Sequence, residues 1–413
     1  MKFNFDSPNL KIKDFRTLLL TRGLLTMTLQ IQAVIVGWQI YQIKKSALLL
    51  GLIGLTEAIP AISMAFFAGH LVDIFKPTKV YRLSIMAIML NTFFIFSTVA
   101  PIFYLGENHR LLILFTGIFI SGAARAFASP SMFSLLPQIV PRNSLSSAAA
   151  FNGSVHTFAS IIGPALGGLI YGFAGATWAF AIPCLLSLVA LYSSTQFSEN
   201  LRNKQNPGVR EPMLKSIRAG MHFVLNHKVL LSTMVLDMFS VLFGGVVAIL
   251  PIFADKVFGV GATGLGFLRA APALGSVLIS IFLALRPMRT ISGAMLSQVI
   301  LGFGFSTILF ALTSNYYLAL FFLALTGAFD GVSMVIRGTF MQLLTPDNMR
   351  GRVSSLSSIF ITSSNEIGAF ESGLAVTFLG LIPSVIFGGV MTLVVVGLVA
   401  WKVPDLNKTK IEV

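Results

Sequence analysis

Long apolar runs separated by short polar loops make up most of this chain. They fall at roughly 15–43, 47–75, 79–104, 109–137, 142–173 and 175–195, and again at 229–256, 261–286, 290–313, 315–343, 350–378 and 380–402. As a helix, each run is long enough to cross about 30 Å of hydrocarbon. The longest polar stretch, 196–213 (QFSENLRNKQNPGVREPM), holds Pro, Gly and mixed charge and reads as a linker. Behind it Leu214, Ile217, Met221, Val224 and Leu225 recur at helical spacing, with Lys215, Arg218 and His222 between them. That pattern predicts an amphipathic helix on the cytoplasmic membrane surface. The expected organisation is a tail over 1–14, a six-helix half over 15–195, a linker with its surface helix over 196–228, a second half over 229–402, and a short basic tail over 403–413.

One stretch is used twice. Ser121–Leu169 and Thr326–Leu374, 205 residues further on, align with Gly122 on Gly327, Ala123 on Ala328, Pro141 on Pro346, Asn143 on Asn348, Gly163 on Gly368 and Gly168 on Gly373. In both copies an apolar run ends near a proline, a polar loop follows, and a second apolar run carries spaced glycines. The expected fold class is therefore an all-α membrane protein of twelve transmembrane helices in two pseudo-symmetric six-helix halves. Two such halves joined by a linker are the plan of a secondary transporter built from parallel repeats.

Composition sharpens this picture. Of 413 residues 55% are hydrophobic and 11% charged, and mean hydropathy is +0.85. A soluble domain carries about 25% charged residues. The net charge of +14 would raise the question of nucleic acid in a soluble protein, but its distribution answers otherwise. Of the 29 Lys and Arg, Lys44, Lys45, Arg110 and Lys256 lie on one side, Arg22, Arg125, Arg269 and Arg337 lie within spans, and the rest lie on the other side. This is the positive-inside bias; it places both termini in the cytoplasm and argues against a nucleic-acid partner. Cys184 is the single cysteine, so disulfides and cysteine metal sites are excluded. The first run contains Arg22, Gln30, Gln32 and Trp38 with no small-residue cleavage site, and reads as a retained span.

Three stretches resemble the major facilitator superfamily, and the resemblance covers nearly the whole chain. Gly69-His70-Leu71-Val72-Asp73, with Lys76, Lys79 and Arg82, resembles its cytoplasmic loop motif. Gly163-Pro164-Ala165-Leu166-Gly167-Gly168 resembles the span-five motif of antiporters that export drugs and metabolites. Thr345-Pro346-Asp347, Arg350-Gly351-Arg352-Val353 and Ser364-Asn365-Glu366-Ile367-Gly368 look like a bacterial exporter branch that includes the enterobactin exporter, as does the stretch LPIFADKVFGVGATGLGFLRAAPALGS. The loop motif departs from the family in having Ile74 and Lys76 where Arg and Gly are usual. Its second copy, near Arg286-Pro287-Met288-Arg289, has lost the Asp. The resemblance implies gating roles. Asp73 would latch against the start of span eleven, near Arg350 and Arg352, and Gly69 would shape that turn. Gly163, Pro164, Gly167 and Gly168 would form a packed seam that seals one state. A solvated turn aspartate and plain helix packing fit the same residues.

Charges within spans are costly and usually face a cavity or a partner. Nine are present: Arg22, Glu57, Arg125, Asp237, Arg269, Asp330, Arg337, Glu366 and Glu371. In the superfamily, spans one, four, seven and ten line the central cavity. The resemblance thus makes Arg22, Arg125, Asp237, Asp330 and Arg337 candidates for substrate contact, with interhelix salt bridges as the alternative. Asp330 and Arg337, seven apart, share a helix face about 10 Å apart along the axis. Arg125 and Asp330 occupy matching repeat positions and are expected at similar depth, opposite in sign. For proton coupling the candidates are Glu366, Asp237, Glu57 and Glu371. A carboxylate withdrawn from water holds its proton and one beside a guanidinium gives it up, so moving between the two environments carries a proton. Glu371 stands five residues from Glu366, about 140° round the helix, so both cannot face one cavity squarely. His156 fits either a proton relay or a packing role.

The function expected from all this is a secondary transporter of the bacterial inner membrane. It would export a medium-sized organic molecule, such as a siderophore or amphiphilic drug, against protons, by alternating access around a midplane site, and act as a monomer in the lipid bilayer. Uptake of a siderophore, metal complex or lipid through the same fold is the alternative, and a polytopic enzyme or receptor is a further one. No Walker loop and no paired His–acid metal spacing is present, so an enzyme, direct ATP use, a cofactor and a metal are not expected.

Overall fold

The computed structural model describes residues 8–100, 105–198, 213–286, 288, 290–346 and 349–412. In chain order the helices are α1 (Pro8–Lys11), α2 (Lys13–Lys44), α3 (Ala47–Ile74), α4 (Pro77–Phe96), α5 (Glu107–Ile139), α6 (Leu145–Ser194), α7 (Met213–Asn226), α8 (Lys228–Gly244), α9 (Leu250–Ile252), α10 (Gly261–Leu285), α11 (Gly293–Leu312), α12 (Tyr316–Leu344), α13 (Arg350–Leu379), α14 (Leu381–Lys402) and α15 (Pro404–Lys408). Strands β1 (Thr290–Ser292) and β2 (Lys410–Glu412) pair antiparallel, with Ile291 opposite Ile411. Helix predominates because a segment in hydrocarbon must satisfy its own backbone hydrogen bonds.

Among the described residues ten segments are long and apolar enough to cross a membrane. Arg142–Ser194 counts as one of them, although Gly175 turns it at φ 82°, ψ 176°. The helix α13 is not among them, because Ser, Thr, Asn and Glu side chains lower its hydropathy. The break at Gly175 has a counterpart. Gly380, between α13 and α14, stands at φ 87°, ψ 169°, the same distance along the second copy of the repeat. Such a backbone is open to glycine and few other residues.

The chain forms two compact units. Unit 1 comprises Met1–Lys44, Thr56–Asn206 and Val260–Ala270; unit 2 comprises Lys45–Leu55, Pro207–Gly259 and Ala271–Val413. The core of unit 1 gathers Leu18, Leu25, Tyr81, Ile85, Ile88 and Leu135. That of unit 2 gathers Leu236, Leu296, Ile300, Ile336, Phe340 and Leu406. The expected halves each take in one segment from the other half of the sequence, and glycine contacts explain why. In unit 1 a Cβ on Gly168 would stand 2.7 Å from Gly266 Cα; in unit 2 a Cβ on Gly373 would stand 2.6 Å from Gly51 Cα. Gly122 meets the Glu57 carbonyl in unit 1 as Gly327 meets that of Pro272 in unit 2. Gly51 to Gly266 and Glu57 to Pro272 are equal steps along the chain, so the glycines aligned by sequence make equivalent contacts.

Three expectations change in detail. The run 229–256 is not one helix. It breaks at Gly245, passes through a 3-10 turn (Val246–Ile249) and ends in a π turn (Phe253–Val257). Pro251 has no N–H to continue the ladder, and the Gly245 carbonyl freed by the break accepts a hydrogen bond from Ser372 Oγ at 3.0 Å. The short basic tail over 403–413 carries structure of its own: Leu406 is fully buried, and β2 pairs with β1. The helix α7 forms as expected, but its apolar stripe divides. Val224 is buried with Leu230, Met234, Val353 and Leu356, while Met221 and Leu225 stay exposed. The side chains of Leu214, Lys215 and Ile217, and nearly all of the 196–213 linker, lie outside the described residues.

Candidate functional site

The site chemistry of unit 2 is built on α8 and α12. Asp330 and Arg337 lie on one face of α12, as their spacing predicts, with Arg337 Nη2 3.6 Å from Asp330 Oδ1. Arg337 Nη1 also pairs with Asp237 of α8, and Nε donates to Ser333 Oγ at 3.1 Å. One guanidinium thus serves two carboxylates. The Asp237 side chain is 8% exposed and that of Asp330 41%, so the triad has a closed end and an open one. A small cavity beside it is lined by Asp237, Ser240, Val299, Phe303, Phe329 and Asp330. Of the remaining acids of unit 2, Glu371 on α13 is partly buried with no ion pair among the described residues. Glu366 lies one helical segment earlier, and its backbone carbonyl closes on Gly54.

Unit 1 carries the opposite charge. Arg125 of α5 pairs with Glu57 of α3, so each of Arg125 and Asp330 finds its counter-ion inside its own unit. Arg22 of α2 donates from Nη2 to His156 Nδ1 of α6 at 3.2 Å, and Thr26 Oγ1 lies 3.3 Å from the same nitrogen. Accepting there requires a neutral imidazole with its proton on Nε2. Further along, Gln30 Nε2 donates to Ser160 Oγ at 3.4 Å, and Tyr171 Oη donates to Gln39 Oε1 at 2.5 Å. Sequence reasoning did not single out this polar ladder between α2 and α6. The i, i+4 spacing of Arg22, Thr26 and Gln30 is the signal that could have shown it.

The glycine–proline seam lies beside the ladder. A Cβ on Gly163 would meet Gln30 Cβ at 2.7 Å, one on Gly167 the Ile31 carbonyl oxygen at 3.2 Å, and one on Gly168 the backbone of Ala262 and Gly266. Pro164, buried within α6, presents its carbonyl to Gly266. This segment of α6 packs on two helices at once. Of the expected gating residues, Arg352 at the start of α13 donates to Met349 Sδ at 3.6 Å. The side chains of Asp73 and Arg350, and the surroundings of Gly69, lie outside the described residues. Among the described residues no group of three His, Cys, Asp or Glu is placed to hold a metal.

Paired helical repeats, glycine seams and ion pairs within the spans are the marks of a polytopic membrane protein, and the comparisons give its class. A family model described as transmembrane secretion effector matches residues 7–412, and the chain belongs to that family, within the major facilitator superfamily. It is 26% identical over 366 residues to the enterobactin exporter EntS of Shigella boydii serotype 4, covering 86% of this chain and 83% of that protein. The EntS of Escherichia coli O1:K1 matches to the same extent. Among solved structures, a D-xylose–proton symporter superposes with a TM-score of 0.71 at 14% identity, covering 93% of this chain and 96% of that one. A bacterial homologue of the human lysosomal transporter Spinster, inward-facing and unoccupied, superposes at 0.69 and 15%, covering 98% of both. These neighbours share the fold. The protein is a multi-pass membrane transporter of the major facilitator type, not an enzyme.

Proposed function

We propose that the protein is a proton-coupled exporter of the bacterial inner membrane, which moves a medium-sized organic molecule outward by alternating access. The observation that carries the coupling is the Asp237–Arg337–Asp330 triad. With two carboxylates on one guanidinium, the triad has a spare negative charge, and one proton neutralises it without leaving Arg337 unpaired. Asp330, at the open end, exchanges the proton, and Asp237, at the closed end, keeps Arg337 in place. Glu57 is a weaker candidate because Arg125 already balances it. Glu371, without an ion pair among the described residues, and Glu366 are secondary acids on α13. The export direction is supported by the glycine–proline seam of α6 and by the relatives named as enterobactin exporters. Both termini are placed in the cytoplasm by the positive-inside bias, and the protein is read as a monomer.

The test uses proteoliposomes loaded with a pH dye. A panel of siderophores and cationic dyes is offered across an imposed proton gradient. Substrate-dependent proton flux is expected, its sign giving the direction, and Asp330→Asn should abolish it. Substrate movement without proton flux would remove the coupling and leave a facilitator.

A further inference from the structure

The charges within the spans are segregated. In unit 2 they are Asp237, Asp330, Glu366 and Glu371 against Arg337; in unit 1 they are Arg22, Arg125 and Arg269 against Glu57. Glu57 is taken by Arg125, so neither Arg22 nor Arg269 has a carboxylate partner among the described residues. Both have a buried Nε without a hydrogen-bond partner. Among the described residues Arg22 finds the neutral acceptor His156, and Arg125 lies within electrostatic reach of both. The Arg269 guanidinium, on the segment of α10 that docks through Gly266, lies 3.6 Å from where a Cβ on Gly37 of α2 would stand. A guanidinium withdrawn from water without a counter-charge is costly, and in a membrane protein such a group marks a place where a negative charge arrives.

The two arginines are linked by one helix face. On α2, Arg22, Thr26, Gln30 and Gly37 fall within about 80° of one another, and Arg22 and Gly37 are about 22 Å apart along the axis. On the same face Ala33 is exposed, Arg22 and Gln30 are half-buried, and Thr26 and Gly37 are buried. This face therefore runs from one guanidinium without a carboxylate partner among the described residues to another, over small and neutral polar side chains, with no acid on α2 between them. It suits a molecule with an acidic group on an uncharged body.

We propose that unit 1 supplies the substrate track, and that the substrate is an organic anion. Its carboxylate, sulfonate or phosphate is held first by Arg22 with Thr26 and His156, and then by Arg269. The acids of unit 2 are left to the proton. This rests on the transporter reading and assigns that reading's substrate class.

The experiment measures binding of three probes of one shape, naphthalene-2-carboxylate, naphthalene-2-carboxamide and 2-naphthylmethylammonium, to the full-length protein in nanodiscs, with empty nanodiscs as blank. The carboxylate should bind about tenfold or more tightly than the amide, as one or two charge-assisted hydrogen bonds imply, and the ammonium least. Arg22→Gln and Arg269→Gln should each weaken carboxylate binding by about the same factor, without changing the amide. Equal binding of all three probes, no binding of any, or unchanged carboxylate affinity in both Gln variants would overturn the proposal. Where a Gln variant does not fold, Arg22→Lys and Arg269→Lys, which keep the charge, must preserve the ranking. The two readings fail separately. Anion-selective binding without movement in proteoliposomes sinks the transporter reading alone, whereas proton-linked movement of the ammonium probe sinks the anion reading alone.

Discussion

At the scale of single residues, what matters is how buried charge is balanced. Arg337 stands between Asp237 and Asp330, with its side chain 13% exposed. Replacing it by Ala would leave Asp237 buried without a counter-charge, a loss of about 3–5 kcal/mol for a broken buried pair. The Arg337→Ala protein is therefore expected to melt well below the parent in detergent; an unchanged melting temperature would show that the pair is not what holds Asp237. Asp330→Asn behaves differently, because it leaves Arg337 and Asp237 matched one to one. That variant should keep the parent's thermal stability and ligand binding while losing proton flux. Charges within apolar runs announce all these groups in the sequence. Their partners do not follow from it: repeat position gave Arg125 and Asp330 similar depth and opposite sign, and said nothing of Glu57 and Arg337, the groups they meet.

At the scale of helices, glycines set how closely backbones approach and where they turn, and the two uses fail differently. Around Gly175 there is open space, and its cost to any other residue is the backbone alone at φ 82°. Gly175→Ala is expected to cost about 1–3 kcal/mol through strain, with helix packing otherwise intact. Gly168 has an ordinary helical backbone but the Ala262 carbonyl 2.5 Å from its would-be Cβ. Gly168→Val must separate α6 from α10, at about 1–3 kcal/mol or more for overpacking. Circular dichroism melts would show both losses. Only Gly168→Val should also slow transport in proteoliposomes, since it alone opens a seam; equal transport by both variants would make that seam mere packing. The glycine spacing and the proline were readable beforehand, and so was the break near residue 175. Which helix each glycine would touch was not, because small residues give permission for contact without naming the partner.

At the scale of the whole molecule, the C-terminus closes unit 2. Leu406 is fully buried against the Gly293 backbone, Ser297 Oγ bonds Asn407 Oδ1 at 3.2 Å, and β2 pairs with β1. Removing residues 404–413 exposes the apolar pocket that Leu406 fills, a loss of about 1.5–3 kcal/mol for one leucine. Truncation is therefore expected to lower the melting temperature by a few degrees; no change would mean that the β1–β2 pair contributes nothing in solution. From its composition this stretch reads only as a short basic tail. A three-residue strand and a five-residue helix are too short to carry a periodicity that sequence reading can detect.

The sequence by itself determined that this chain lives in a membrane, that its helices come in two related sets, and which charges its spans carry. Those facts follow from local composition and spacing, since hydrocarbon imposes the same demand on every span wherever its neighbours lie. Only the tertiary structure decided that 45–55 and 260–270 are exchanged between the units, that one arginine balances two aspartates, and that the Arg269 guanidinium of α10 comes beside Gly37 of α2, with neither it nor Arg22 finding a carboxylate among the described residues. Each of these depends on which helix faces which. In a chain whose every span is apolar that choice is made by shape, one glycine against one backbone, and shape of that kind exists only once the helices are packed.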